Sequence, residues 1–198
     1  MRRYLVSTIV GLVLVATTSG FGWSYTSGIA NASTGMQATV ATPTPYPDTA
    51  ANGVAKPPRH CITTGDQAIQ CFDTEAEALR VASDGRIQLA SGQTARSLPY
   101  EDVFGSRDSP TTIQAILYEH ANYGGATLTI YNGGCYIWNN MPGGWNDVTS
   151  SVWSGPCGIT LYDYPNKDLS GNFLCIGPPG TPYVGADMND RASSWSIP

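Results

Sequence analysis

The sequence predicts an all-β protein, a β-sandwich built from two copies of one motif, and three observations carry that expectation. Of the 198 residues only 13% are charged, while 22 are Gly and 14 are Pro. That composition suits short strands joined by turns and argues against a charged helical bundle or coiled coil. From Ile113 onward the chain repeats itself. Leu117-Tyr118-Glu119-His120 returns as Leu161-Tyr162-Asp163-Tyr164, and Asn146-Asp147-Val148-Thr149-Ser150-Ser151 returns as Asn189-Asp190-Arg191-Ala192-Ser193-Ser194. Tyr118 to Tyr162 is 44 positions and Asn146 to Asn189 is 43, so two separate motifs keep nearly one period. Finally, the first copy reads as four short strands, at Ala115–Tyr118, Ala126–Ile130, Cys135–Trp138 and Ser151–Trp153, with Gly, Pro and Asn between them. That spacing fits a sandwich, and two copies are too few for a propeller, which needs about four blades.

The N-terminus reads differently. Met1-Arg2-Arg3-Tyr4 is basic, and Leu5 to Ala16 follows without a charge, the pattern of a secretory signal. Ala30-Asn31-Ala32 has the small-x-small form of a cleavage site, which makes 1–32 a signal peptide or an N-terminal anchor. Read through Trp23, the apolar stretch approaches the ~20 residues that span a bilayer, so an uncleaved anchor with its arginines in the cytoplasm is the alternative. Cleavage after Ala32 would remove Arg2 and Arg3 and shift the net charge from -5 to -7. Residues 33–60 are rich in Pro and Thr, show no hydrophobic period, and read as a solvated spacer. The expected localisation is extracellular, either secreted or tethered to the outer face of the membrane.

Residues 61–110 read as a small extension. Cys61 and Cys71 flank a segment turning at Thr64-Gly65-Asp66, a hairpin whose closure would bring their sulfurs together. Phe72 to Ala82 is the one convincing helix, with Thr74 and Glu77 spaced as a capping box and Asp84-Gly85 as its stop. Arg86 to Leu89 reads as a short strand, and Ser91 to Pro110 as polar turns. The whole is expected to pack beside the main domain, residues 111–198. Five cysteines leave one thiol over after two bridges, and no Cys-x-x-Cys pair points to zinc or redox chemistry. Aligning the copies puts Cys157 and Cys175 on neighbouring strands, so Cys157–Cys175 is the expected second bridge, with Cys135 left free. Leu117, Leu128, Ile130, Ile159, Leu161, Leu174 and Ile176 form the expected core. Trp153 and Trp195, taken as equivalent in the repeat, join it.

Tyr118, Tyr123 and Gly125 form an aromatic-x4-aromatic-x-Gly pattern that resembles the Greek-key signature of the βγ-crystallins. Tyr162, Leu169 and Gly171 look like a degenerate second copy, with Leu169 in place of an aromatic and the spacing lengthened. In each copy the first strand folds back as a hairpin with a ring lying across the turn, and Gly permits φ > 0 or close approach of that ring. The doubled Asn-Asp-x-x-Ser-Ser resembles the calcium-binding signature of microbial βγ-crystallins. The resemblance implies a Greek-key sandwich with two Ca²⁺ sites, each joining the loop of one motif to the hairpin of the other. Asp147 and Ser150 would bind one ion by their side chains, and Asp190 and Ser193 the other. Carbonyls of Val148, Arg191, Glu119 and Asp163 would complete the shells. Such oxygens suit a hard cation, and so few charges per site imply affinity of about 10⁻⁵ to 10⁻³ M. Ser151 and Ser194 are expected to tie the hairpins down.

Function classes narrow accordingly. A net charge of -5 offers no positive patch for nucleic acid. His60 and His120 are the only histidines, too few for a multi-His zinc site; His120 falls inside the folded hairpin with no nucleophile or partner acid at a recognisable spacing, so no enzyme is expected. The expectation is a calcium-binding structural module, monomeric, with calcium ions and a cell-envelope component as partners. The runner-up is a secreted metalloprotease inhibitor of the same architecture. A protease would then be the partner, and Asn139 to Gly144, apolar at Met141, its candidate loop.

Overall fold

The computed structural model describes residues 59–64, 68–106, 109–110, 113–131 and 134–198. The segment 1–32 and all of the spacer 33–60 except Arg59 and His60 lie outside the described residues.

The extension opens with strands β1 (His60–Thr63) and β2 (Ile69–Phe72), an antiparallel hairpin in which Cys61 stands opposite Cys71 and the two are disulfide-bonded. Helix α1 (Glu75–Ala82) follows. The side chain of Thr74 caps it by accepting from the Glu77 N–H at 3.2 Å, as the capping pattern predicts. Arg86 to Leu89 is not the expected strand. Ile87 is held by its N–H to the Ser83 hydroxyl at 2.9 Å, and this carries the chain onward without a ladder partner. A second helix, α2 (Tyr100–Phe104), was not legible in the polar stretch; its burial rests on only two residues, Val103 and Phe104. The short pair β3 (Gly105–Ser106) and β4 (Ser109–Pro110) leads into the repeats.

The first motif is β5 (Ile113–His120), β6 (Gly124–Tyr131), β7 (Ile137–Asn140) and β8 (Ser151–Ser154). The second is β9 (Ile159–Tyr162), β10 (Phe173–Ile176), β11 (Gly180–Thr181) and β12 (Ser194–Ile197). One sheet has the order β11-β8-β5-β6-β1-β2, the other β10-β9-β12-β7. The third strand of each motif therefore lies in the sheet of the other, so neither half can close its sheet alone. The extension does more than pack beside this sandwich. Strand β1 pairs parallel with β6, His60 opposite Thr127 through Thr63 opposite Ile130, so the hairpin continues the sheet. The His60 Nδ1 lies 3.0 Å from the Thr127 hydroxyl, and burial lowers the imidazole's pKa.

Two cores result. Between the sheets lie Leu117, Leu128, Ile130, Val152, Ile159, Leu161 and Trp195, with Met141 and Trp145. On the outer face of the larger sheet Ile62, Ala78, Leu79, Val103, Phe104, Ile116, Tyr118 and Trp153 form the second. Strand β5 is buried along nearly its whole length because both its faces are covered, which explains its continuous apolar run. The expected core residues are buried except for Leu174, which packs against the core only partly buried. Trp153 and Trp195 are not equivalent. Counting from the Asn-Asp pairs, Trp195 matches Val152, and strand alternation sends the next residue, Trp153, to the opposite face.

The cysteine pairing departs from expectation as well. Cys135 is bonded to Cys157, and Cys175 is free and exposed, in place of a Cys157–Cys175 bridge. In the β9–β10 register Cys175 stands opposite Thr160, three residues beyond Cys157. At about 3.4 Å per residue that is some ~10 Å along the strand, too far for a bridge. Peptide mapping of the oxidised protein should recover Cys61–Cys71 and Cys135–Cys157, with a thiol reagent labelling Cys175 alone among residues 59–198.

Glu75, the first residue of α1, is buried, and its Oε1 has no hydrogen-bond partner among the described residues. Burial raises the pKa of its carboxyl, and the Ala95 N–H draws it partly back. The native state thus holds this proton more tightly than the unfolded chain, and its contribution to stability falls as pH rises through the carboxyl range. Glu75→Gln is expected to raise the urea midpoint at pH 7 and to lose that advantage near pH 4, checked by denaturation at both values.

Candidate cation site at the crossed loops

Each motif folds its first hairpin the same way. After β5 the backbone enters the left-handed region at Asn122 and Tyr123 (φ 59° and 63°), and after β9 at Asn166 and Lys167 (62° and 55°). Asn tolerates this region; Tyr and Lys need to be held there. A buried serine does the holding. The Ser151 hydroxyl donates to the His120 carbonyl at 2.7 Å and accepts from the Tyr123 N–H at 3.0 Å. The Ser194 hydroxyl donates to the Tyr164 carbonyl at 2.6 Å and accepts from the Lys167 N–H at 3.1 Å. Both serines therefore tie hairpins, as their place after Asn-Asp-x-x-Ser implies.

The same bonds correct the second signature. Lys167 takes the place of Tyr123, five residues after Tyr162 as Tyr123 is five after Tyr118, so Leu169 is not its counterpart. The extra residues follow that point, and Leu169 is an exposed part of the insertion. The ring seated on each glycine is also a different one. A Cβ on Gly125 would lie 2.9 Å from the His120 ring, and one on Gly171 would lie 2.8 Å from the Tyr164 ring. His120 thus packs its ring over the turn at Gly125.

Upon these hairpins the two Asn-Asp loops cross. The Ser150 N–H donates to the Tyr118 carbonyl at 2.9 Å, and the Ser193 N–H to the Tyr162 carbonyl at 2.8 Å, so each loop is seated on its own hairpin. The loops then reach across. The Asp190 N–H donates to the Thr149 carbonyl at 3.2 Å, and the Asp147 N–H to the Ala192 carbonyl at 3.1 Å. Both aspartates are left-handed, φ 59° at Asp147 and 54° at Asp190. Each has one carboxylate oxygen held by the amide of the preceding asparagine at 2.7 Å, Asn146 to Asp147 and Asn189 to Asp190. Those asparagines orient the acids, a role their recurrence in both copies signals.

The grouping of site residues follows from the crossing. The Ser150 hydroxyl donates across the crossing to Asp190 Oδ1 at 3.2 Å. Asp190 thereby comes to the first hairpin, where Glu119 lies at a register shift outside the regular β5–β6 pairing. The Glu119 carboxylate accepts from the Ala126 N–H at 3.0 Å. By the same crossing Asp147 comes to the second hairpin, where Ser193 and Asp163 lie. There the two halves differ. Arg191 donates from Nε to Asp163 Oδ1 at 3.0 Å and from its terminal nitrogen to Oδ2 at 2.5 Å, a two-pronged ion pair. These hydrogen bonds, and then the carboxylate charge, raise the guanidinium's pKa. Val148 occupies the equivalent place in the first loop and is partly buried against the core. Among the described residues no group of three or more His, Cys, Asp or Glu side chains gathers to hold a metal, so an ion here would need hydroxyl and carbonyl oxygens as well.

The apolar residue of the candidate inhibitory loop is not presented to solvent, although Gly143 is exposed. Met141 is buried between the sheets, its N–H bonded to the Ser193 carbonyl at 2.9 Å, and Trp145 is buried with it. Trp138 is the exposed one, with the Lys167 ammonium 5.2 Å from its ring centre.

Two folded hairpins, each tied by a serine, with third strands exchanged between the sheets, define the architecture. Residues 113–198 have the βγ-crystallin fold. No family model matches the chain, and no curated protein matches it. Solved structures similar to it include a double mutant of a βγ-crystallin domain from Clostridium beijerinckii, at 27% identity and TM-score 0.35, covering 42% of this chain and 93% of that one. A βγ-crystallin from an archaeon is 22% identical, TM-score 0.36, over 44% of this chain and 99% of its own. One from Ciona intestinalis is 21% identical, TM-score 0.35, over 43% and 99%.

Removing either tying hydroxyl strands a carbonyl and an N–H. Ser151→Ala and Ser194→Ala should each cost about 1–3 kcal/mol of unfolding free energy, measured by urea denaturation.

Proposed function

We propose that this chain is an extracellular βγ-crystallin-like module that binds Ca²⁺ where its two loops cross, and that the ion stiffens the joint between its halves. The observation that carries the reading is the approach of Ser150 Oγ and Asp190 Oδ1, 40 positions apart, to 3.2 Å. Neighbouring oxygens around Ca²⁺, at 2.3–2.6 Å from the metal, stand about 3–3.5 Å from one another, so this pair already has the spacing of one edge of a coordination shell. These residues fit the ion at the first hairpin, where the Asp190 carboxylate, the Ser150 hydroxyl and the Glu119 carbonyl would be donors to it. Bound there, Ca²⁺ would neutralise the acid and cross-link loops that only three hydrogen bonds now join.

The two disulfides fit an oxidising compartment. Among the described residues no helix is long and apolar enough to cross a membrane. As the module's partners we propose calcium ions and a component of the cell envelope, with the chain acting as a monomer and not as an enzyme. With Met141 buried, nothing favours the protease-inhibitor reading over this one.

Ion binding to the native state alone stabilises it by mass action. At a hundredfold excess over Kd the gain is about 2.7 kcal/mol, which corresponds to a melting-temperature rise of about 5–10 °C. Melting in chelator and in millimolar Ca²⁺ measures it. An unchanged midpoint for the parent together with no calorimetric heat would refute the reading, and Asp190→Asn should abolish most of the rise.

A further inference from the structure

The two hairpins are near copies in backbone, yet their charge is not. At the first, Asp190 and Glu119 face no cation in the hydrogen bonds that fix them, and the residue at the third place of the loop is Val148. At the second, the same place is Arg191, and its guanidinium grips both oxygens of Asp163. Asp163 is 6% exposed, so without a partner its charge would be nearly buried, an arrangement proteins avoid by pairing it. The planar fork of Arg matches a carboxylate in a way a spherical ion does not, and it is covalently present at all times.

We infer that Arg191 is a built-in cation that takes the place of Ca²⁺ at the second hairpin, so that the protein binds one ion and not two. This rests on the calcium reading of the first hairpin. The second site of the resemblance does not fit the metal: a divalent ion entering among Asp147, Ser193 and the Asp163 backbone would meet a fixed positive charge. The second half is thereby closed at any calcium level, and only the first half responds to it. The charges of Asp187 and of the Tyr164 hydroxyl act on Arg191 more weakly than its pair with Asp163 does.

Calorimetric titration of the full chain with CaCl₂ tests this. The parent should take up one ion, and Arg191→Val, which copies Val148, should take up two. Should that variant fail to fold, Arg191→Gln keeps a neutral donor for Asp163 and should also take up two. In the parent, the Arg191 Nε–H signal in an NMR titration should keep its position as Ca²⁺ is added, since the pair stays closed. In chelator the variants should melt below the parent, and calcium should raise their midpoints by more than it raises the parent's. Two ions on the parent, or no extra ion on both variants, would overturn the inference. A parent that binds none beside variants that bind one would reject the reading of the first hairpin while upholding the role of Arg191. One ion on all three would do the reverse, and none on any would reject both.

Discussion

A buried serine hydroxyl in each motif is the bond on which the rest of the sandwich hangs. Ser151 and Ser194 join the end of one strand to the turn of another, about thirty positions earlier in the chain. Each serves as donor and acceptor at once, so the turn cannot shift without breaking both bonds. With the turn fixed, Tyr123 and Lys167 stay in a backbone region they would otherwise leave. The loop just before each serine is then seated, its aspartate thrown across to the other half. Carboxylates, crossed loops and exchanged strands all inherit their positions from that tie.

The halves share this scaffold and differ in what surrounds it. The first is roofed by the extension. Arg96 lies over the Tyr123 and Trp153 rings at 4.4 and 4.5 Å, and Phe104 meets Trp153 edge-on at 4.8 Å. Tyr118 is buried there, and burial foremost, with the Glu75 charge behind it, raises its hydroxyl's pKa. Among the described residues the second half has no such roof: Tyr164, Leu169 and Phe173 are exposed. The two frames are alike, and their surroundings leave one half covered by the extension and the other with its Asp163 closed by its own Arg191.

Much of this was legible because repetition doubles every signal. One Asn-Asp-x-x-Ser-Ser says little; two in register with a folded-hairpin pattern placed the strands, the tying serines and most of the core. What escaped depended on facing, which a linear repeat does not record. Trp153 and Trp195 look alike in sequence and differ by one step of a two-residue period. Leu169 looked like a ring substitute because the insertion could be set on either side of it. The resemblance groups Ser150 with Asp147, and the hydrogen bond of Ser150 to Asp190 across the crossed loops is not something a linear motif records. The ion pair of Arg191 with Asp163 spans 28 positions, and the repeat does not signal it, since the first copy has Val148 at the place of Arg191. Cys157 and Cys175 share neighbouring strands, but register put them out of reach. Strand β1 joined the sheet in parallel, a choice that no residue of the hairpin announces.

The separation of the two large indoles has an optical consequence. Trp195 reports from between the sheets, and Trp153 from under the helical roof, beside a guanidinium. Their emission therefore samples two layers of one molecule through different surroundings. A partial loosening that lifts the roof and spares the sandwich would redden Trp153 while Trp145 and Trp195, between the sheets, keep their surroundings, so an early red shift of the intrinsic fluorescence would mark stepwise melting.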